Sequence, residues 1–261
     1  MTILQDTHLI IDLDGTLISG DLVLPGARRL LDLCPARTVI ASNNSTDTAV
    51  SLCARLRAQG LDVPPDRLLL AGEAAISLLC RDHPTTRIML ISTAEVRRFA
   101  VEAGLNLVDR DADIVCVCRD TAFDFEKLSC AAREVARGAV LIAANMDASH
   151  PGPDGLPVPE TGALVAAIQT CAGRAPSKVI GKPAPFLFEE ALRRLSATPD
   201  SALVIGDNKA TDIAGASGLG LRSLLIGTAP NADAVTLDDM IDRLLRGDCE
   251  PTIRSLSPDF F

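Results

Sequence analysis

Apolar and polar positions change period repeatedly along this chain, and each change marks an element. Strand-length segments at 8–13, 38–42, 202–206 and 221–226 are mostly apolar. The run at 8–13 is nearly continuous, as expected of a strand buried on both faces of a parallel sheet. Helical periods fall between these segments, at about 25–34, 47–59, 184–195, 210–217 and 236–246. Pro25 suits the first turn of its helix. In 47–59, Ala49, Leu52, Cys53 and Leu56 recur at helical spacing, Asn43 to Thr46 offer caps, and Gly60 stops the helix. The middle of the chain repeats this grammar with strands at 87–91, 113–118 and 139–143 and helices at 94–103, 124–137 and 161–172. A Pro/Gly-rich loop is expected at 151–159. Strands alternating with helices predict an α/β fold with an open parallel sheet. The organisation expected is a core of residues 1–72 and 181–261 with a second α/β domain, 73–180, inserted between its halves.

Composition narrows the function. The chain has 261 residues, 48% of them hydrophobic, and a net charge of −9. That charge, with no Lys/Arg run longer than two, argues against a general nucleic-acid footprint. Lysine is scarce, four residues against 21 arginines, so each lysine stands out. The eight cysteines form no C-x-x-C pair and read as reduced core thiols of a cytoplasmic protein. No basic n-region marks a signal peptide, and no apolar run approaches the length of a membrane span. Trp and Tyr are absent, which removes tyrosine chemistry and an indole stacking platform.

Candidate chemistry clusters where buried strands end. In open α/β sheets, ligands bind beyond the carboxyl ends of the strands. Asp12 and Asp14 end the first strand, Ser42 the second, and Asp207 follows 202–206, with Asp212 five residues on. Lys182 lies in Gly181-Lys182-Pro183. Asp12 has the chemistry of a nucleophile toward phosphorus, and Asp14 that of an acid for the leaving oxygen and a base for water. Asp207 would complete a hard, all-oxygen Mg²⁺ site, and Asp212 would orient a metal-bound water. Ser42 and the amides that follow, Asn43 first, would meet phosphate at a helix N-terminus. Lys182 would neutralise phosphate oxygens as a point charge. Each piece alone has a plainer meaning: an Asp-Gly turn, a helix cap, a loop lysine, an exposed helix charge. Together, in this order, they describe a phosphoryl-transfer site.

With these residues in place, the chain resembles the haloacid dehalogenase superfamily of phosphatases. The matching motifs are Asp12-Leu13-Asp14-Gly15-Thr16, Ser42, Lys182, and Gly206-Asp207 with Asp212. The resemblance implies a Rossmannoid core of strand order 3-2-1-4-5. It also implies Mg²⁺ held by the Asp12 carboxylate, the Asp14 carbonyl and Asp207. The insertion between the second and third motifs resembles a C2 cap. Within it, Phe125-Glu126-Lys127-Leu128, Asn145-Met146-Asp147 and Thr161-Gly162-Ala163-Leu164 resemble the NagD-like and 4-nitrophenylphosphatase-like subfamily. Asn145 to Pro151 also resembles the cap loop of pyridoxal phosphate phosphatases, which makes Asn145, Asp147 and His150 candidate substrate contacts. Glu160 and the Cys116 to Asp120 segment depart from the subfamily's glycine-containing pattern.

The expected function is Mg²⁺-dependent hydrolysis of a small phosphorylated metabolite through an aspartyl-phosphate. The candidate substrates are pyridoxal phosphate, a nucleoside monophosphate, a sugar phosphate and phosphoglycolate. The resemblance further implies a homodimer. The rivals are a phosphomutase, which the short stretch between Asp14 and the second strand disfavours, and a non-catalytic phosphate-binding protein on the same fold.

Overall fold

The computed structural model describes residues 7–152 and 154–254. The N-terminal residues 1–6, read above for a leader, and Pro153 of the Pro/Gly-rich loop lie outside the described residues. The chain forms two compact units. Among the described residues, one comprises 7–42, 53–69 and 182–254, the other 43–52, 70–152 and 154–181.

The first unit is built on a parallel sheet. Its strands run in the spatial order Arg222–Leu225, Ala202–Gly206, His8–Ile11, Thr38–Ser42, Leu68–Leu70. Numbered along the chain and read from the Leu68–Leu70 edge, this is 3-2-1-4-5. Ile11 stands opposite both Ile205 and Ile40, so three strands run in step toward one edge. Their side chains explain the arrangement. Leu9, Ile10, Ile11, Val39, Ile40, Leu203 and Ile205 are all buried, as central parallel strands require. The first strand ends at Ile11 rather than 13. Asp12 donates its amide to Ile205 O at 2.8 Å, and the chain then turns through Gly15.

The closing helix Leu237–Arg246 shows how local sequence sets an element. Leu237, Met240, Ile241 and Leu244 are buried at helical spacing. The Thr236 hydroxyl accepts from Asp239 N, Asp238 and Asp239 face the positive helix start, and Gly247 closes the helix in the left-handed region. The helix packs on Ala27–Leu33, whose preceding Gly26 has φ 88°. A Cβ on Gly26 would overlap the backbone of Asp238, so only glycine permits this approach.

The second unit has its own parallel sheet in the order Lys178–Val179, Val140–Ala143, Ile114–Val117, Ile88–Ile91. Helices Phe125–Arg137 and Thr161–Ala172 cover one face, burying Ala131, Val135, Val165 and Ile168 against Val115, Val117 and Leu141. Asp124 caps the first of them by accepting from Lys127 N at 2.8 Å, and Gly138 ends it. The segment expected as a loop at 151–159 is instead largely a two-stranded antiparallel hairpin, Ser149–Pro151 with Pro157–Pro159. Its strands are only three residues long and carry prolines at their ends, so no alternating pattern announced them. Strand Leu68–Leu70 and helix Ala71–Asp82 were also not legible in advance. Among the described residues no helix is long and apolar enough to cross a membrane.

Candidate active site

The first unit brings the six core residues read from the motifs to one edge of its sheet. Asp12 follows strand His8–Ile11, Ser42 ends Thr38–Ser42, and Asp207 follows Ala202–Gly206. These three strands are neighbours and parallel, so their carboxyl ends lie side by side. Lys182 is buried, and its Nζ donates to Asp12 Oδ1 and to Asp212 Oδ1, each at 2.6 Å. Ser42, also buried, donates its hydroxyl to Asp14 Oδ2 at 3.4 Å.

Two glycines make this crowding sterically feasible. Gly15 has φ 90°, and a Cβ there would overlap the Asp207 carboxylate. A Cβ on Gly206 would overlap the Asp212 carboxylate. Asp212 lies not in a regular helix but in a single π-helical turn, Lys209–Ile213, the wide geometry often found at functional sites. It is 1% exposed, so it is no exposed helix charge. Both of its oxygens are engaged, Oδ1 by Lys182 and Oδ2 by Asn208 N at 3.1 Å.

The electrostatics follow from four carboxylates sharing one ammonium. Desolvation, then the nearby Asp12 charge, pushes Asp14 up to about 6. The same two causes push Asp207 up to about 6. Burial also raises Asp212, against the opposing pull of Lys182. For Lys182, burial opposes the charge, but Asp12 and Asp212 outweigh it and hold the ammonium above its ordinary range. Oδ2 of Asp12 is buried and has no hydrogen-bond partner among the described residues. Carboxylate oxygens of Asp12, Asp207 and Asp212 lie within 4.8 Å of one another. A hard divalent cation suits this set, because it would satisfy the lone oxygen and offset the mutual repulsion.

The helix-terminus reading of the phosphate site needs correction. Helix Ala49–Ala58 starts two residues later than the periodicity suggested, and its first amides are already taken. Asn44 Oδ1 accepts from Thr46 N and Asp47 N, Glu95 from Thr48 N, and Glu73 from Ala49 N. Two glutamates from distant sequence thus occupy the positive helix end expected to hold phosphate. Sequence reading missed them because they lie 24 and 47 residues away.

The residues read as substrate contacts belong to the second unit, and so does Asn43. Asn145 is 1% exposed, and its amide is consumed by protein partners, which corrects its reading as a substrate contact. Asp147 is half-buried and accepts from Asn43 Nδ2 at 3.0 Å. His150 sits in the short hairpin with Nδ1 2.7 Å from Glu160 Oε1, near enough to pair but off the hydrogen-bond direction. Arg119 Nε lies 3.4 Å from the same oxygen. The two departures from the subfamily pattern therefore meet each other.

Two family profiles match the chain, haloacid dehalogenase-like hydrolase over residues 9–106 and HAD-hydrolase-like over 179–242. A dihydroxyacetone phosphatase of Corynebacterium glutamicum is 30% identical over 226 residues, 85% of this chain and 82% of that protein. Among solved structures, a 4-nitrophenylphosphatase from Thermotoga maritima superposes with a TM-score of 0.86 at 26% identity, covering 94% of this chain and all of that one. A glycerol phosphate phosphatase from Mycobacterium tuberculosis, solved with magnesium, superposes with a TM-score of 0.80 at 33% identity, covering 88% of this chain and 71% of that one. Sequence, sheet order and site geometry agree: the chain belongs to the haloacid dehalogenase-like hydrolases, among the phosphoric monoester phosphatases of the NagD and 4-nitrophenylphosphatase group.

Proposed function

We propose that this chain hydrolyses a small phosphorylated polyol or sugar, by way of a phosphoryl group carried on Asp12, with Mg²⁺ at the carboxylate cluster. The observation that carries the reading is the pairing of Lys182 with both Asp12 and Asp212 while Asp12 Oδ2 has no hydrogen-bond partner among the described residues. A nucleophile, a neutralising cation and an uncommitted oxygen coincide at one strand end.

An Asp12 carboxylate oxygen attacks phosphorus, and the bond from phosphorus to the ester oxygen breaks. Asp14 gives its proton to that leaving oxygen. A pKa near 6 suits this, since the group can hold a proton in mildly acidic solution and still lose it readily. Asp14 then takes a proton from water, whose oxygen attacks phosphorus and displaces Asp12 as a free carboxylate. Lys182 offsets negative charge throughout, and Asp212 holds Lys182 in place. Asp12, the Asp14 carbonyl and Asp207 would hold Mg²⁺, with Asp212 behind them. When bound, the cation supplies charge neutralisation to the phosphoryl oxygens. The substrate class follows from similarity to phosphatases named for dihydroxyacetone and glycerol phosphates, which favours polyol and sugar phosphates over pyridoxal phosphate, nucleotides and phosphoglycolate.

The test is phosphate release from a panel of polyol, sugar, nucleoside and pyridoxal phosphates plus 4-nitrophenyl phosphate, with Mg²⁺ or EDTA. Mg²⁺-dependent turnover led by the polyol and sugar phosphates is expected. Turnover that persists in EDTA would overturn the metal assignment. Binding without turnover would favour a phosphate-binding protein.

A further inference from the structure

The chain passes between the two units at four places, and two of them adjoin the candidate site. Ser42 is the last residue before one passage, and Lys182 is the first after another. Asn43 and Gly181 stand on the second unit's side of these passages. Both meet one side chain, Asn145. Its Nδ2 donates to Asn43 O at 2.6 Å and lies 3.4 Å from Ser45 Oγ and 3.3 Å from Thr161 Oγ1. Its Oδ1 accepts from Asp147 N at 3.1 Å. Gly181 donates its amide to Ala144 O at 2.7 Å. A Cβ on Gly181 would come within 2.5 Å of Asn43 Oδ1 and 2.7 Å of Asn145 Cβ. The absence of a side chain at Gly181 is what lets the two passages close on Asn145.

The network around Asn145 is satisfied in each direction. Ser45 Oγ and Thr161 Oγ1 share a hydrogen bond at 2.8 Å, and Ser45 Oγ also accepts from Arg119 N. Asn43 Nδ2 reaches Asp147 Oδ2. Satisfied buried networks fix geometry, because each member's loss leaves others unpaired.

We propose that Asn145 is a positioning residue for phosphate recognition, a clasp that fixes the residue after Ser42 against the residue before Lys182. This inference rests on the phosphatase reading above. Asn145 acts through the main chain: the Asn43 carbonyl it holds is one residue from Ser42, and the glycine packed against it is one residue from Lys182. Relaxing the clasp loosens the spacing of the hydroxyl and the ammonium that would meet the phosphate, while none of the clasp's own hydrogen bonds involves Asp12.

Asn145→Asp keeps the shape but removes both donor hydrogens. The two hydroxyls can turn to compensate; the Asn43 carbonyl cannot. Gly181→Ala attacks the same clasp from the other passage and guards against a failure of the first variant to fold. Each is compared with wild type by calorimetric titration of inorganic phosphate in the presence of Mg²⁺, by KM and kcat on 4-nitrophenyl phosphate, and by thermal melting. In each variant that melts near wild type, the phosphate dissociation constant and KM should rise about tenfold. The Mg²⁺ concentration for half-maximal activity should stay unchanged. Folded variants that bind phosphate as wild type does would overturn the proposal, as would a fall in kcat with phosphate affinity intact. A wild type that neither binds phosphate nor releases it from any substrate would instead overturn the functional reading, and the proposal with it.

Discussion

The two units contain polar networks of opposite character. In the first, Asp12, Asp14, Asp207 and Asp212 surround the ammonium of Lys182, burial and the Asp12 charge push two of the carboxylates up to about 6, and Asp12 Oδ2 has no hydrogen-bond partner among the described residues. In the second, Asn145, Asn43, Ser45, Thr161 and Asp147 match donors to acceptors. The first arrangement is costly alone and would gain by binding a cation and a phosphate, as proposed above. The second pairs its polar atoms within the protein, and that pairing holds the backbone still. On the proposed roles, the reactive groups stand where the protein leaves charge unbalanced, and the positioning group where it balances the polar atoms.

The largest effect that contrast predicts is at Asp12. Asp12→Asn should lower turnover by about 10³-fold or more, since a nucleophile has no substitute. Steady-state phosphate release checks this, and activity within tenfold of wild type would sink the nucleophile assignment. Next comes Lys182→Met. Without the ammonium, Asp12 and Asp212 are left close together with no counter-charge, so the protein without metal should lose about 3–5 kcal/mol of stability. Chemical denaturation in EDTA measures it. Added Mg²⁺ should recover part of the loss, because the cation supplies the missing positive charge.

A smaller effect is expected at Gly15→Ala. The added Cβ strains a left-handed φ and displaces the Asp207 carboxylate, so affinity for Mg²⁺ should weaken roughly 10–100-fold. Activity as a function of Mg²⁺ concentration reports it, and an unchanged curve would remove Asp207 from the metal set.

The smallest effect belongs to a helix cap in the second unit. Burial opposes the charge on Glu95, but hydrogen bonds from Ser51 and Thr48 outweigh it and hold the carboxyl below its ordinary value. A depressed folded pKa stabilises the protein above the unfolded glutamate pKa, and that contribution disappears as pH falls through the folded one. Glu95→Gln should therefore lower the melting temperature slightly at neutral pH, and the difference should vanish in acid. A difference that grows in acid would contradict the assigned role.

What could be read from the sequence follows the same division. The six core residues were legible because buried parallel strands announce themselves and ligands gather at their ends. Ser42, Asp12 and Asp207 needed only the strand boundaries. The segment Leu68 to Cys80 was opaque because its strand runs into its helix without a polar break, and Gly72, which reads as a weak helix residue, is there to admit the backbone of Ser45. The caps from Glu73 and Glu95 were invisible for a different reason. A carboxylate that caps a helix from 47 residues away leaves no local signature. Asn145 was noticed for its motif but misread in its role, because only the fold reveals that its amide is already spent.

The central claim is that Asp12 carries the phosphoryl group. The most direct measurement is to quench the enzyme in acid during turnover with Mg²⁺, reduce it with borohydride, and locate any converted aspartate by peptide mass spectrometry. The account predicts homoserine at position 12 and none at Asp14, Asp207 or Asp212. Conversion at another aspartate, or full activity in Asp12→Asn with no conversion anywhere, would contradict it.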